Sequence, residues 1–242
     1  MEALTIGAML RQPAFREVRP LTGAAGMDRT VSWFYLAGAD RELLRLRLGK
    51  MGARVTGVDL APEMIARAQE KARAWGVPAA FAVQDMRDFA LPRRAEAVVC
   101  ACDGVNYLRT LSDVDRCFAA VFAALRPGGV FAFDISGPAK LRRMAGQMYG
   151  EDREDVTYLW MNEWSEEART LRMSLAFFVR EADGRYRRFD EEHVQRAHEV
   201  GELLAALARA GFAQGRALSG MTMEPAGAQD ERIHFTARRP EA

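Results

Sequence analysis

Acidic residues recur in this 242-residue chain at one kind of position, just beyond a short apolar run. Asp40 follows the run 31–37, Asp59 ends the run 53–60, Asp85 follows 80–84, and Asp103 follows 95–101. If those runs are strands of one sheet, the acids line a single edge of it. An acid after the second strand can accept hydrogen bonds from both hydroxyls of a ribose. An acid after the third can accept from an exocyclic amine, with the neighbouring Met86 packed on an adenine ring. This is chemistry suited to an adenosine-bearing ligand. Further along, Asn106, Tyr107, Trp160 and Arg188 are candidates for contacting a second molecule. Tyr107 and His193 are the candidates for handling a proton. His193 and His198 otherwise read as surface histidines. The arginines at 185, 187, 188 and 196 read either as a solvated face or as a grip on an acidic substrate.

The elements needed to position these residues are legible from periodicity. Residues 62–75 carry Met64, Ile65, Ala68 and Ala72 at a helical spacing, with Pro62 in the first turn and Gly76 at the stop. Residues 113–125 carry Val114, Cys117, Phe118, Val121 and Phe122 on one side. The apolar runs 95–101 and 130–134 are continuous, as expected for strands buried on both faces. Arg126-Pro127-Gly128-Gly129 reads as a sharp stop and turn. Repeated strand–helix units of this length imply a parallel, doubly wound α/β sheet. In such sheets ligands bind beyond the C-terminal strand ends.

After about residue 155 the pattern changes. Segments 156–164, 170–179 and 186–196 alternate like strands, and Asp183-Gly184 between the last two is a hairpin signal. They imply a small antiparallel β insertion, with Trp160, Trp164, Phe177 and Phe178 as its core. Residues 202–210 read as a helix, and 216–223 and 232–238 as a closing strand pair. The expected division is a core of 1–150 and 200–242, with 151–199 as a lid inserted in it. In the first fifty residues, a strand over 31–37 and a helix over 41–50 are the expectations.

Four segments, 52–72, 83–89, 100–108 and 125–135, resemble in order and spacing the class I S-adenosylmethionine-dependent methyltransferases. The similarity spans roughly residues 52–240. It is nearest to a bacterial small-molecule-type branch with a β insertion before the last helix. The resemblance implies a Rossmann-like fold, S-adenosylmethionine as cofactor and a small-molecule acceptor. It implies that Asp59 and Leu60 hold the ribose and that Asp85 and Met86 frame the adenine. Cys102 and Asp103 would face the cofactor, and the stretch from Cys102 to Tyr107 would line the path to the substrate.

One departure stands out. The family's first motif is glycine-rich, which lets the backbone approach the methionine end of the cofactor. The corresponding loop here keeps Ala37, Gly38 and Asp40, with Gly38 its one glycine. That loop leaves open an inactive, methyltransferase-like binding or regulatory protein, and also a gene reading error over the first forty residues. A nicotinamide-dependent oxidoreductase also places an acid after strand two, but it needs a G-x-G-x-x-G turn that this chain lacks.

Composition narrows the partners. The chain has 34 basic against 33 acidic residues, a net of +1, which argues against a surface built to coat nucleic acid. No apolar run is long enough for a membrane span, and the N-terminal stretch lacks a basic region before its short apolar segment. Cys100, Cys102 and Cys117 form neither a disulfide framework nor a zinc pattern, so no metal is expected. The expectation is a cytoplasmic monomer or homodimer.

Overall fold

The computed structural model describes residues 30–34, 54–74, 76, 78–220, 222 and 224–241. Among these, seven strands form one sheet. Five run parallel: β1 (Thr30–Phe34), β2 (Arg54–Asp59), β3 (Ala79–Val83), β4 (Ala95–Cys100) and β5 (Leu125–Ser136). β10 (Ala213–Ser219) and β11 (Arg232–Arg238) close the sheet as an antiparallel hairpin. The order across the sheet is β10-β11-β5-β4-β1-β2-β3. It reverses direction of winding at β1, which opens a crevice at the C-terminal strand ends on either side of that strand.

Helix α1 (Pro62–Ala74) connects β2 to β3, and α2 (Leu111–Ala124) lies between β4 and β5. Thr110 caps α2 by accepting from the Asp113 amide at 3.0 Å. A six-residue helix, α3 (Pro138–Arg143), follows β5 directly. Helix α4 (Val200–Arg209) precedes the final hairpin and starts with a capping box between Glu199 and Glu202. α2 and α4 cover the β4–β5–β11 region of the sheet, where the main core lies. Phe118, Phe131, Phe133 and Phe235 are wholly buried there, and the Phe133 and Phe235 rings stack at 4.7 Å. Each such burial contributes roughly 2 kcal/mol.

The stretch 126–129 differs from the expected plain turn. Ala95 pairs with Leu125 and Ala97 with Val130, so four residues bulge out of one continuous β5. Gly128 takes a φ of 74°, which suits glycine.

The second sheet is antiparallel, in the order β6 (Met148–Asp152), β7 (Val156–Ser165), β8 (Thr170–Arg180), β9 (Tyr186–Arg196). β6 was not anticipated, because its sequence MYGED has no alternating apolar residues. The sheet therefore starts at Met148 rather than 151. The expected helix 41–50 and the expected strand-end residues Ala37, Gly38 and Asp40 lie outside the described residues. Among the described residues, no helix is long and apolar enough to cross a membrane.

Candidate active site

Asp59 ends β2. Its Oδ1 accepts from the Ala61 amide at 2.8 Å, which orients the carboxylate at the start of α1. Its Oδ2 is buried and has no hydrogen-bond partner among the described residues. A carboxylate oxygen held this way can accept a hydrogen bond, and ribose hydroxyls are donors of the right kind. Leu60, beside it, is 67% exposed at the same edge. Asp85 follows β3, but its carboxylate is not free. The Arg87 side chain and amide both donate to it, and Arg87 also reaches Asp113 of α2. The hydrogen bonds from Arg87 hold the Asp85 carboxyl below the usual carboxylate range. Adenine recognition there would have to share the carboxylate with a guanidinium. Met86 packs against the main core.

Beyond β4 the backbone turns through two consecutive left-handed residues, Cys102 (φ 60°) and Asp103 (φ 55°). Neither is glycine, and each costs roughly 1 kcal/mol or more in this conformation. The turn leads into a short 3-10 helix, Gly104–Tyr107. It places Asp103 against two elements far away in the chain. Arg232, at the start of β11 and opposite Ser136 in register, donates to Asp103 at 2.7 Å and also to Asp134. Gln195 of β9 donates to the other Asp103 oxygen at 2.9 Å. Burial raises the Asp103 pKa, but Arg232 and Gln195 more than offset this and keep the carboxyl acidic. Asp134 is pushed up by burial, which Arg232 only partly counters. Burial also pushes the Cys117 thiol up to about 12 and the Cys100 thiol up, so neither is a nucleophile.

The lid sheet completes the site. Residues opposite one another on adjacent strands share a face. Register therefore puts Trp160, Met173, Leu175, His193 and Gln195 on one face of the lid. That face roofs a cavity of 210 Å³. Its floor is Asp103, Tyr107, Ser136 and Lys140, and its side is Leu141 and Met144. Tyr107 Oη lies 3.0 Å from His193 Nδ1, and His193 Nε2 lies 3.4 Å from Glu191. Gly137, between Ser136 and α3, has no room for a side chain. A Cβ there would sit 2.0 Å from the Asp230 carbonyl oxygen.

Several expected roles need correction. Asn106 is fully buried. Its amide donates to the carbonyls of Ser136 and Arg196 and its oxygen accepts from the Ser136 amide, so its hydrogen bonds go to the protein. Arg188 lies on the outer face of the lid, paired with Asp190 at 2.8 Å and set over the Phe178 ring. The strand pleat puts it on the side away from the cavity. Phe178 shares that outer face, whereas Phe177 is inward and stacks on Phe189. His198 is not a surface residue but is wholly buried at the β9–α4 joint. Arg196 is mostly buried and pairs with Glu202 rather than lying on a solvated face.

Lys140, Arg232, Gln195 and Glu191 had no sequence signal. Arg232 and Gln195 reach Asp103 through contacts between distant segments, whereas Lys140 and Glu191 bond to near neighbours, Ser136 and His193.

Comparison with known proteins agrees with this geometry. Residues 40–129 match a family model described as a methyltransferase domain. The methyltransferase-family protein YqeM of Bacillus subtilis (strain 168) is 34% identical over 198 residues, covering 81% of this chain and 79% of YqeM. The fold is similar to an S-adenosylmethionine-dependent methyltransferase from Clostridium acetobutylicum ATCC 824. The TM-score is 0.79 at 26% identity, covering 93% of this chain and 88% of that one. It is also similar to S-adenosylmethionine-bound CalS10, an amino pentose methyltransferase from Micromonospora echinaspora. There the TM-score is 0.71 at 26% identity, covering 98% and 92% of the two chains. The strand order, the buried Asp59 carboxylate at the β2 edge and these similarities lead to one conclusion: the chain belongs to the class I S-adenosylmethionine-dependent methyltransferases, and it is an enzyme that uses S-adenosylmethionine.

Proposed function

We propose that the enzyme transfers a methyl group to a small-molecule acceptor held between the C-terminal ends of β4 and β5 and the lid sheet, residues 148–196. The observation that carries this reading is the 210 Å³ cavity roofed by Trp160, Met173 and Leu175. A space of that size suits a small organic molecule. That CalS10 is an amino pentose methyltransferase supports a small acceptor here.

When bound, S-adenosylmethionine supplies an already electrophilic methyl group, so the protein's task is alignment, exclusion of water and removal of a proton. Asp59 would hold the ribose hydroxyls. Leu60, Asp85, Met86, Cys102 and Asp103 would lie along the same ligand. With Nε2–H directed at Glu191, His193 presents Nδ1 as an acceptor, and the Tyr107 hydroxyl donates to it. The imidazole is then placed to take a proton from the acceptor through the Tyr107 hydroxyl, which passes its own proton to Nδ1 as it receives the acceptor's.

The test uses S-adenosylmethionine carrying an isotopic methyl label. The purified protein is incubated separately with the low-molecular-weight and macromolecular fractions of a cell extract. Label in a small product supports the reading, and label confined to protein or nucleic acid overturns it. Once an acceptor is known, Tyr107→Phe should lower turnover about 100-fold and leave the affinity for S-adenosylhomocysteine unchanged.

A further inference from the structure

The cavity has one cationic side chain that the methyl-transfer scheme leaves unused. Lys140 stands in the first turn of α3, partly buried, and lines the cavity floor. An ammonium has three donors. One goes to Ser136 Oγ at 3.2 Å, and among the described residues Lys140 forms no ion pair. The nearby acids do not meet its demand. Asp103 gives one oxygen to Arg232 and the other to Gln195, and Asp134 is bound to Arg232. The cavity is also lined by Leu141, Met144, Trp160, Met173 and Leu175, whose side chains offer no strong acceptor, and by Tyr107, His193 and Gln195, which are hydrogen-bonded to other protein groups.

A second observation points the same way. Arg232 would be the natural anion binder here, yet two carboxylates occupy it. The site thus holds one cation neutralised by protein carboxylates and another that, among the described residues, has no carboxylate partner in a mixed polar and apolar pocket. Such a group is costly to bury without an anion or hydrogen-bond acceptor supplied from elsewhere.

We propose that the methyl acceptor carries an anionic oxygen group, a carboxylate or a phosphate, and that Lys140 holds it. The inference rests on the cavity being the acceptor pocket. It implies that the methylated atom lies at the far end of the acceptor from the anionic group, toward Tyr107 and His193. Lys140 would act as a specificity-determining residue and take no part in proton transfer.

Three probes of matched ring size test it: benzoate, phenyl phosphate and benzamide. Each is titrated at millimolar concentration into the full-length protein saturated with S-adenosylhomocysteine, and binding is read by thermal shift and calorimetry. Benzoate or phenyl phosphate should bind at least about tenfold more tightly than benzamide, and whichever binds better identifies the oxyanion. Lys140→Met should abolish that preference, and Lys140→Arg should retain much of it. The affinity for S-adenosylhomocysteine should be the same in all three proteins.

Binding of both benzoate and phenyl phosphate no tighter than that of benzamide overturns the proposal, as does an undiminished preference in Lys140→Met. Weakened S-adenosylhomocysteine binding in Lys140→Met also overturns it, because Lys140 would then serve the cofactor's own carboxylate. Trp160→Ala separates this failure from failure of the pocket. If it weakens all three probes while Lys140→Met changes none, the acceptor pocket stands and the anion does not. If neither variant affects any probe, both readings fall.

Discussion

Along the β2–β3 edge, the site acids are oriented by residues two positions away in sequence. Asp59 is fixed by the Ala61 amide and Asp85 by Arg87. Along the β4–β5 edge the partners lie far apart in the chain: Tyr107 with His193, Asp103 with Gln195, and Arg232 with both Asp103 and Asp134. The cofactor half is thus assembled from local turns. The acceptor half exists only when three distant segments meet. The first can be constant while the second varies, because a change in the lid alters the pocket without disturbing the ribose acid.

The comparison predicts where damage should be global and where it should be confined. The largest effect expected is on acidification, and it falls on the acceptor half. His198 and His234 are both buried, and burial pushes each pKa from 6.5 down to about 4. The unfolded chain takes up these protons near pH 6.5, while the native state resists them until about pH 4. Unfolding free energy should therefore be at its full value above pH 6.5 and fall as pH drops toward 4. Between pH 7 and pH 5 the loss should be about 2 kcal/mol per histidine. Guanidinium unfolding at the two pH values measures it, and a flat profile in that window would refute the buried, neutral state of both rings.

Arg232→Met comes next. It leaves Asp103 and Asp134 without their shared cation. A fully buried pair broken this way costs roughly 3–5 kcal/mol, but 32% of the Arg232 side chain is exposed, so about 2–3 kcal/mol is expected. Denaturant titration reads the loss, and a change below about 1 kcal/mol would show that the cluster does not hold the acceptor half together.

Asp59→Asn probes the other half. It should weaken S-adenosylhomocysteine about 10- to 100-fold by calorimetry, with unfolding changed far less than by Arg232→Met. An equal loss of stability would erase the contrast between the two edges. The smallest effect belongs to Arg188→Ala on the outer lid face. Stability should move by less than about 0.5 kcal/mol, with turnover unchanged. A drop in turnover would mean that the outer face takes part after all.

The same contrast explains what the sequence reveals. The strand before Asp103 stands out because a strand buried on both faces is a nearly continuous apolar run, whereas β2 and the edge strand β3 are shorter, weaker runs marked by the acids at their ends. β7, β8 and β9 are visible through their alternation and the Asp183-Gly184 turn. β6 escapes because it is an edge strand with little to bury. Arg188 misleads because strand alternation identifies two faces without saying which is inward. Asn106 misleads because an amide in a site-like turn looks the same whether it meets a ligand or three backbone groups. Lys140 is silent for a related reason: a lysine after proline in a short helix is ordinary, and only the lid above it gives it a pocket.

The attachment of β9 has a mechanical consequence. Within four residues, His193, Gln195 and the Arg196 carbonyl are all tied to the turn from Asp103 to Tyr107. The hairpin end at Gly184 has no such ties to that turn. The lid is therefore a cantilever, clamped at its root and loose at its tip. Deflection of a cantilever grows with distance from the clamp, so the roof is stiffest directly over Tyr107, where reacting atoms must be aligned. Amide hydrogen exchange along β9 should slow from Tyr186 toward Arg196, and severing the clamp with Asn106→Ala should flatten that gradient.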